Sequence, residues 1–429
     1  YRDLFGDAEV AKLFTDSAEI RAMLVVEGAL AKAQGALGMI PETAAAAIHR
    51  DALELVLDPA GLARETGRSA VPVPALVAAF RKAMQAPDHA QFVLWGATSQ
   101  DIIETGLTLR LRQALVISEI RLTATSKALG VLSETHADLP LAGRTYGQIA
   151  TPTSFGAVVA SWGAPLLRHL DRLGELRPRL LCVTLTGAAG TLSAMGADGP
   201  KVRAAMAAAL DLADAPDSRH TTRDHIGELA AWCTLVTGSL GKMGEDLTLM
   251  TQSGIAEVDL GETGSSSTMP QKQNPVAPSV LVALAHTAAA LNSGLQGTPV
   301  HRQQRDGAAW LTEWLLLPQL ILTTTKALAV AETLGRTIQP NAGAMAANLD
   351  DGMGLIQAEA LSFALVAQLP RPKAQAEIKR LAAEARSTGT PLPDLFAAAH
   401  PGIEMPDARS QLGTAPQQAR AFAARAAKL

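Results

Sequence analysis

The stretch from Gly261 to Pro278 carries the residue types best suited to proton transfer. It reads G-E-T-G-S-S-S-T-M-P-Q-K-Q-N-P-V-A-P, so three consecutive serines are followed at close range by Lys272. Prolines at 270, 275 and 278 exclude a continuous helix or strand, which predicts a specifically shaped loop. A nearby ammonium lowers the cost of forming an alkoxide, so a serine here is a candidate base or nucleophile. A serine-rich linker is the plainer interpretation, but the fixed spacing M-P-x-K-x-N-P argues against it.

This run resembles the G-S-S-x-M-P-x-K-x-N-P signature of the fumarase/aspartase superfamily, with Ser265 in the place of the family's glycine. In that family the loop closes over substrate, and a serine takes a proton from the carbon next to a carboxylate. The resemblance implies catalytic roles for Ser266, Lys272 and Asn274, and substrate-binding roles for Ser267 and Met269. Whether Ser266 or Ser267 carries the proton stays open.

A second motif, G-A-T-S-Q-D at Gly96–Asp101, leads into a long apolar-periodic segment. Either Ser99 or Asp101 is suited to cap that helix, and capping alone is one explanation of the motif. The family resemblance implies in addition that Thr98 and Ser99 hydrogen-bond a substrate carboxylate.

A third motif, G-R-T-Y-G-Q-I-A-T-P at Gly143–Pro152, places an arginine in a glycine-bounded loop. A guanidinium meets a carboxylate bidentately, so Arg144 is a candidate clamp, although a solvated arginine is equally consistent with the residues alone. The resemblance extends the substrate-binding set to Thr145, Tyr146 and Gln148.

Two further stretches are basic. In His301–Glu313, Arg305 stands just before the last long helix, where a cation opposes the helix dipole and is better explained by a bound anion. We therefore assign Arg305 to substrate binding. His220–Asp224 resembles a family segment less strongly, and a structural pair between Arg223 and Asp224 explains it equally well.

The sequence also departs from the family. Tyr146 and Gln304 stand where most members have a histidine and its glutamate partner, Leu94 replaces a second histidine, and Ile149 replaces an alternative one. A lyase that expels an amine needs a general acid, whereas a cycloisomerase uses the substrate's own tethered carboxylate.

The chain therefore most resembles the bacterial 3-carboxy-cis,cis-muconate cycloisomerase branch. This implies interconversion of 3-carboxy-cis,cis-muconate and a carboxymuconolactone in protocatechuate catabolism, the β-ketoadipate pathway. The alternatives are a C–N lyase of the argininosuccinate or adenylosuccinate type and a catalytically silent structural homologue. The substituent on the muconate, carboxylate or sulfonate, and the syn or anti stereochemistry stay open.

Long helices must position these motifs. The composition, 48% hydrophobic with only 3% aromatic residues, is typical of closely packed helices, and the predicted fold class is all-α. Long helices are predicted at about 103–132, 151–178, 220–251, 276–295 and 305–334, with a kink at Pro318. Their apolar faces are too extensive for one small bundle, which predicts burial by other copies of the chain, and the resemblance implies a homotetramer. The resemblance implies three parts, an N-terminal domain (1–101), a central five-helix bundle (102–339) and a C-terminal domain (340–429), with active sites shared between subunits.

Charge and motif content exclude other classes. A net charge of −4 gives no reason to expect nucleic acid or a membrane surface as partner, and neither an uninterrupted apolar run of membrane-spanning length nor a charged-then-apolar leader is evident. Cys182 and Cys233 lie in apolar surroundings, which predicts buried free thiols and a cytoplasmic protein. No phosphate-binding loop, dinucleotide motif or metal-ligand spacing occurs in the sequence, so we expect a small-molecule polycarboxylate substrate and no cofactor or metal.

Overall fold

The computed structural model describes residues 1–261, 269, 272–349, 352–406 and 410–429, together with the backbone of 264–265. Helices dominate, and the all-α prediction is confirmed. In the described part of the chain the helices are α1 Arg2–Phe5, α2 Ala8–Ala11, α3 Asp16–Ala36, α4 Glu42–Glu54, α5 Pro59–Ser69, α6 Val73–Met84, α7 Pro87–Ala90, α8 Ser99–Thr135, α9 Phe155–Leu180, α10 Gly199–Leu210, α11 Asp224–Met250, α12 Val276–Leu295, α13 Gly307–Thr337, α14 Ala342–Leu349, α15 Ala358–Leu365, α16 Arg371–Thr388, α17 Leu392–Ala399 and α18 Ala415–Ala426.

The strands are short and form two-stranded pairs. Antiparallel pairs join β1 (Pro140–Thr145) to β2 (Gln148–Ser154), β5 (Val258–Asp259) to β8 (Gln339–Pro340), and β6 (Gly264–Ser265) to β7 (Gln273–Asn274). A parallel pair joins β3 (Cys182–Val183) to β4 (Ala213–Asp214).

The five long helices agree with the predicted ones, with one error. The α12 bounds are those predicted, and α13 is continuous through Pro318. The predicted start of α9 at Thr151, with Pro152 in its first turn, is wrong because both residues lie in β2. The helix begins at Phe155, where the Ser154 hydroxyl accepts a hydrogen bond from the Ala157 N–H at 3.1 Å and so acts as the cap.

The Gly143–Pro152 motif is a β-hairpin rather than an irregular loop. β1 and β2 meet at the two-residue turn Tyr146–Gly147, where φ is +53° and +74°. Positive φ at both central residues fits the tight turn that follows the right-handed twist of the strands. Glycine adopts that conformation freely, whereas Tyr146 is held in it at some cost.

The chain forms two compact units. The first comprises Tyr1–Ile120, His169–Thr237 and Leu284–Ala327, and its core contains buried residues of α3, α4, α6, α8 and α10. The second comprises Arg121–Arg168, Gly238–Ala283 and Leu328–Leu429, and includes an apolar cluster formed by α15, α16 and α17. The long helices contribute residues to both units, and the division into three domains stays a prediction.

Two helices, α12 and α13, are long and apolar enough to cross a membrane by length and composition alone. Neither helix is an uninterrupted apolar run, because His286 interrupts α12 and Glu313 interrupts α13. Long core helices of soluble proteins meet the same criteria, so the two helices are weak evidence for a membrane protein. Cys182 and Cys233 are buried free thiols, as predicted, and burial raises the pKa of the Cys233 thiol to about 12.

Candidate active site

The Gly96–Asp101 motif caps α8 in the way its residue types predict. Thr98 precedes the first helical residue, and the Asp101 carboxylate reaches back to accept the Thr98 N–H at 3.0 Å. This is the side-chain-to-backbone half of a capping box, in which an acidic third residue satisfies the backbone donor of the cap. Capping by Asp101 is therefore observed.

Asp101 also gathers distant segments of the first unit. Its buried carboxylate accepts hydrogen bonds from the Thr186 N–H at 2.9 Å, the Gly187 N–H at 3.0 Å and His220 Nε2 at 2.9 Å. With the Thr98 N–H, four donors surround this one carboxylate, so hydrogen bonds compensate for its burial. The same network brings the His220–Asp224 stretch to the start of α8.

Arg305, which lies just before α13, completes this cluster, and its assignment to substrate binding stays a prediction. Its Nε donates to Gln100 Oε1 at 2.8 Å, and its Nη2 lies 3.4 Å from Thr98 Oγ1 and 3.3 Å from the Ala188 carbonyl oxygen. All three acceptors are neutral, and within the described residues no carboxylate forms an ion pair with Arg305. The first unit therefore presents an exposed, uncompensated guanidinium beside the Thr98 hydroxyl, which is an arrangement suited to an anion. Ser99 lies next to it, half-buried in the first turn of α8.

Beneath this cluster lies a buried ionic centre. Arg223 donates to both carboxylate oxygens of Glu313 and, at 3.0 Å, to Glu104. Arg223 thus pairs with Glu313 and Glu104 and not with Asp224, the partner that the sequence suggested. Burial raises the pKa of Glu313, and burial lowers the pKa of His301, whose Nε2 lies 3.9 Å from Glu313. Neither ring nitrogen of His301 has a hydrogen-bond partner within the described residues.

A buried acid fixes the turn before Thr98. Glu27 of α3 accepts the Leu94 N–H at 3.0 Å, and about two turns further along the same helix Gln34 Nε2 donates to the Trp95 carbonyl at 2.6 Å. Leu94 has φ +61°, which a branched-chain residue adopts only when its surroundings hold it there. Glu27 and Gln34 supply that restraint, so α3 determines how Thr98 and Ser99 are presented.

Stability should depend on pH through Glu27. Complete burial raises its pKa from 4.5 to about 7, because the Leu94 N–H and Arg81 only partly offset the loss of water. An acid whose pKa is raised on folding destabilises the folded state as pH rises from about 4.5 to about 7. The wild type should therefore lose on the order of 2–3 kcal/mol relative to Glu27→Gln across that range and run parallel to it above pH 8. Melting temperatures of both proteins from pH 5 to 8 test this, with exposed Glu54→Gln as control; parallel curves throughout would contradict it.

In the second unit, Arg144 is bound to a carboxylate of its own chain. Its Nη1 and Nη2 donate to the two oxygens of buried Glu257 at 2.9 and 2.8 Å. Glu257 also accepts Asn348 Nδ2 at 2.9 Å, so α14, the β1–β2 hairpin and the segment after α11 are tied together. Arg144 therefore anchors the hairpin. Its role as a substrate clamp stays a prediction, and only the N–H groups that do not bind Glu257 are available for that role.

The hairpin tip contacts little. Thr145, Tyr146, Gln148 and Ile149 are exposed, and Tyr146 is completely so. The hairpin forms one wall of a cavity of about 850 Å³, which α11 residues such as Lys242 and Asp246 close on the other side. Exposed aromatic and amide side chains at the end of an anchored hairpin are available to a ligand or to another subunit.

The signature stretch begins and ends on a small hairpin. Gly264 pairs with Asn274 and Ser265 with Gln273, so the backbone at the two ends of the serine–lysine motif is held side by side. Lys272 and Asn274 line a cavity of about 580 Å³ with Asp259 and Asn341, and Met269 is exposed. Ser266 and Ser267 lie outside the described residues. Among those described, no three His, Cys, Asp or Glu side chains cluster closely enough to hold a metal ion.

Sequence reasoning assigned Thr98, Arg305 and Arg144 to substrate binding and missed the residues that hold them in place within each unit. Glu257, Glu27 and the Thr186–Ala188 loop were not singled out. The glycine-rich G-A-A-G-T that follows β3 was the available signal for that loop, because glycines between short elements often mark a backbone that approaches a ligand or another segment closely. Nothing local distinguished Glu257 or Glu27 from surface acids.

Comparison with known proteins gives consistent results. Residues 7–289 match the family model described as Lyase. The 3-carboxy-cis,cis-muconate cycloisomerase of Pseudomonas aeruginosa is 40% identical over 379 residues, which is 86% of this chain and 82% of that protein. The crystal structure of the 3-carboxy-cis,cis-muconate lactonizing enzyme from Pseudomonas putida has a TM-score of 0.93 at 32% identity and covers 99% of this chain and 98% of its own. That of fumarate lyase from Mesorhizobium sp. BNC1 has a TM-score of 0.92 at 30% identity, with 99% of both chains covered.

Proposed function

Because the chain belongs to the fumarase/aspartase superfamily of lyases, we propose that it is an intramolecular lyase that interconverts 3-carboxy-cis,cis-muconate and a carboxymuconolactone. The observation that carries this proposal is Arg305, which is held beside Thr98 by neutral acceptors only. A guanidinium without a carboxylate partner is suited to a substrate that carries several carboxylates.

The chemistry requires few catalytic groups. One substrate carboxylate forms or leaves the lactone C–O bond, and because it is tethered and already ionised, no acid has to protonate it. Only the carbon next to another carboxylate gains or loses a proton, which we assign to Ser266. Lys272 would stabilise the alkoxide of that serine, and Asn274 would donate to the substrate as charge develops. None of the residues at positions 94, 146, 149 and 304 is a histidine, which agrees with a mechanism that needs only one proton-transfer residue.

The test is a direct assay of cyclisation. The purified protein should remove the ultraviolet absorbance of 3-carboxy-cis,cis-muconate and leave argininosuccinate and adenylosuccinate unchanged, because it has no group assigned to protonate nitrogen. Arg305→Gln should raise KM at least tenfold, whereas Arg386→Gln, an exposed change on α16, should not. Cleavage of either C–N substrate, or no cyclisation by correctly assembled protein, would refute the proposal. A 3-sulfomuconate arm compares the two possible substituents.

We also propose that the working form is a homotetramer of D2 symmetry. Only 28% of the apolar window of α12 and 44% of that of α13 is buried within one chain. Exposed apolar residues repeat along the long helices, including Val116, Ile120 and Val131 of α8 and Leu311 and Leu315 of α13. Other copies of the chain would bury these exposed apolar residues, and the exposed hairpin tip at Tyr146 would reach the active site of a neighbouring copy.

Light scattering at assay concentration should therefore report four chains, and dilution should reduce stability and activity together. Charged substitution at Ile120 of α8 should dissociate the assembly, whereas the same substitution at exposed Val56, outside any helix, should not. A fully active monomer would contradict the proposal. As part of it, we assign the reaction to the cytoplasm and to protocatechuate catabolism, with neither a nucleic acid nor a membrane as partner.

A further inference from the structure

A cleft of about 440 Å³ in the first unit is lined by three arginines. It lies between α3, α8 and the end of α10, and contains Arg21, Arg110 and Arg112. Arg110 is nine residues beyond Asp101 on α8, or about 14 Å along the helix axis, and none of the three belongs to the Arg305 cluster. The remaining wall is largely apolar and includes Val25, Leu109 and Leu210.

Arg110 is a buried cation without a hydrogen-bonded counter-ion. Its side chain is only 10% exposed, and within the described residues its Nε has no hydrogen-bond partner. The nearest acid is Glu19, whose Oε2 lies 3.9 Å from Nη1, beyond hydrogen-bond length, and the Phe14 ring centre is 5.8 Å from the guanidinium carbon. Burying a charge with so little compensation is costly, so the site has a strong tendency to take up an anion.

Among the described residues, the other two arginines also lack a close carboxylate and bind neutral backbone carbonyls instead. Arg21 donates to the Ala52 carbonyl at 2.8 Å, and Arg112 donates to the carbonyls of Leu210 and Asp211 at 2.7 and 2.9 Å. The Asp211 carboxylate is fully exposed and 3.9 Å from Arg112. Three guanidinium groups thus face two loosely placed carboxylates, Glu19 and Asp211, which leaves a net positive cleft.

We propose that this cleft is a second anion site that binds a small organic carboxylate, with the carboxylate on Arg110 and the hydrocarbon chain on the leucine and valine wall. The volume lies within the range of small-molecule sites, roughly 300–1,000 Å³. A guanidinium holds a carboxylate through two parallel hydrogen bonds, and the apolar wall favours an organic anion over inorganic phosphate.

The site can be tested with adipate, a flexible dicarboxylate, and with inorganic phosphate. We expect adipate to raise the melting temperature of the full-length wild type and to titrate calorimetrically. Arg305→Gln, which changes only the cluster at the start of α8, should retain this binding. Arg110→Gln should weaken it at least tenfold, and Arg110→Lys less, because lysine keeps the charge without the bidentate geometry.

Three results would overturn the proposal. These are equal adipate affinity in wild type and Arg110→Gln, loss of all adipate binding in Arg305→Gln, and phosphate binding at Arg110 as tight as adipate binding. Should Arg110→Gln fail to fold, Arg112→Gln decides instead, because that side chain is 32% exposed and its removal should still weaken adipate binding severalfold. Unchanged binding in Arg112→Gln would then count against the site.

Discussion

Ser266→Ala should reduce turnover of 3-carboxy-cis,cis-muconate by on the order of a thousandfold or more. The serine is proposed to carry the only proton transfer, and no imidazole occupies the family positions that would share the work. Because the proposed substrate contacts of Arg305 and Thr98 are retained in this variant, KM should change far less than kcat. Steady-state kinetics by loss of ultraviolet absorbance measures both.

Matched variants make this result specific to one hydroxyl. Ser279→Ala, at an exposed serine in the first turn of α12, should have near-normal kcat. Ser267→Ala should retain most activity if Ser266 moves the proton, and the reverse ranking would transfer the role to Ser267. Substitution of His220 or His301 by Gln should leave cyclisation measurable. If either histidine variant is inactive while Ser266→Ala remains active, the serine mechanism is wrong.

Arg223→Met should destabilise the protein by about 3–5 kcal/mol, the largest effect on stability that we expect. Arg223 is almost completely buried between Glu104 and Glu313, and its removal leaves two carboxylates facing each other without a cation. Thermal denaturation at fixed protein concentration measures the loss of stability as a fall in melting temperature. At temperatures where the variant is still folded, its kcat should be affected much less.

Two further variants separate charge from packing. Arg68→Met removes an exposed pair with Glu65 and should cost less than about 1 kcal/mol. The triple change Arg223→Met, Glu104→Gln and Glu313→Gln removes all three charges and should recover part of the lost stability. A single variant as stable as the wild type, or a triple variant less stable than the single one, would contradict the argument.

The local sequence pattern was sufficient to predict the long helices but not to predict where α9 begins. α12 was predicted to the residue because Pro275 and the largely apolar segment after it define the helix locally. The start of α9 was misplaced because Thr151-Pro152 has the composition of a helix start, while the pairing of β2 with β1 depends on a partner strand. Local composition cannot report a competing long-range hydrogen-bond pattern.

The same limit applies to the candidate site. Thr98, Ser99 and Arg305 were assigned through motifs, and the cluster around Arg305 joins Thr98 to it. Glu257 and Arg144 are 113 residues apart in the chain, so their ion pair has no signature in spacing. A carboxylate that is buried with a partner looks like any surface acid until the fold is known.

On the proposed role of its tip in substrate binding, the β1–β2 hairpin separates folding from selectivity, which has a consequence for how this protein can diverge. Its base is fixed by the Arg144–Glu257 pair, while side chains at 145, 146, 148 and 149 contribute almost nothing to the packing of their own chain. Mutations at those four positions can therefore accumulate with little penalty in the fold of one chain, and a small combinatorial library there should sample altered substrate ranges. Position 146 is the exception, since its φ of +53° favours Asn, Asp or Gly among the replacements.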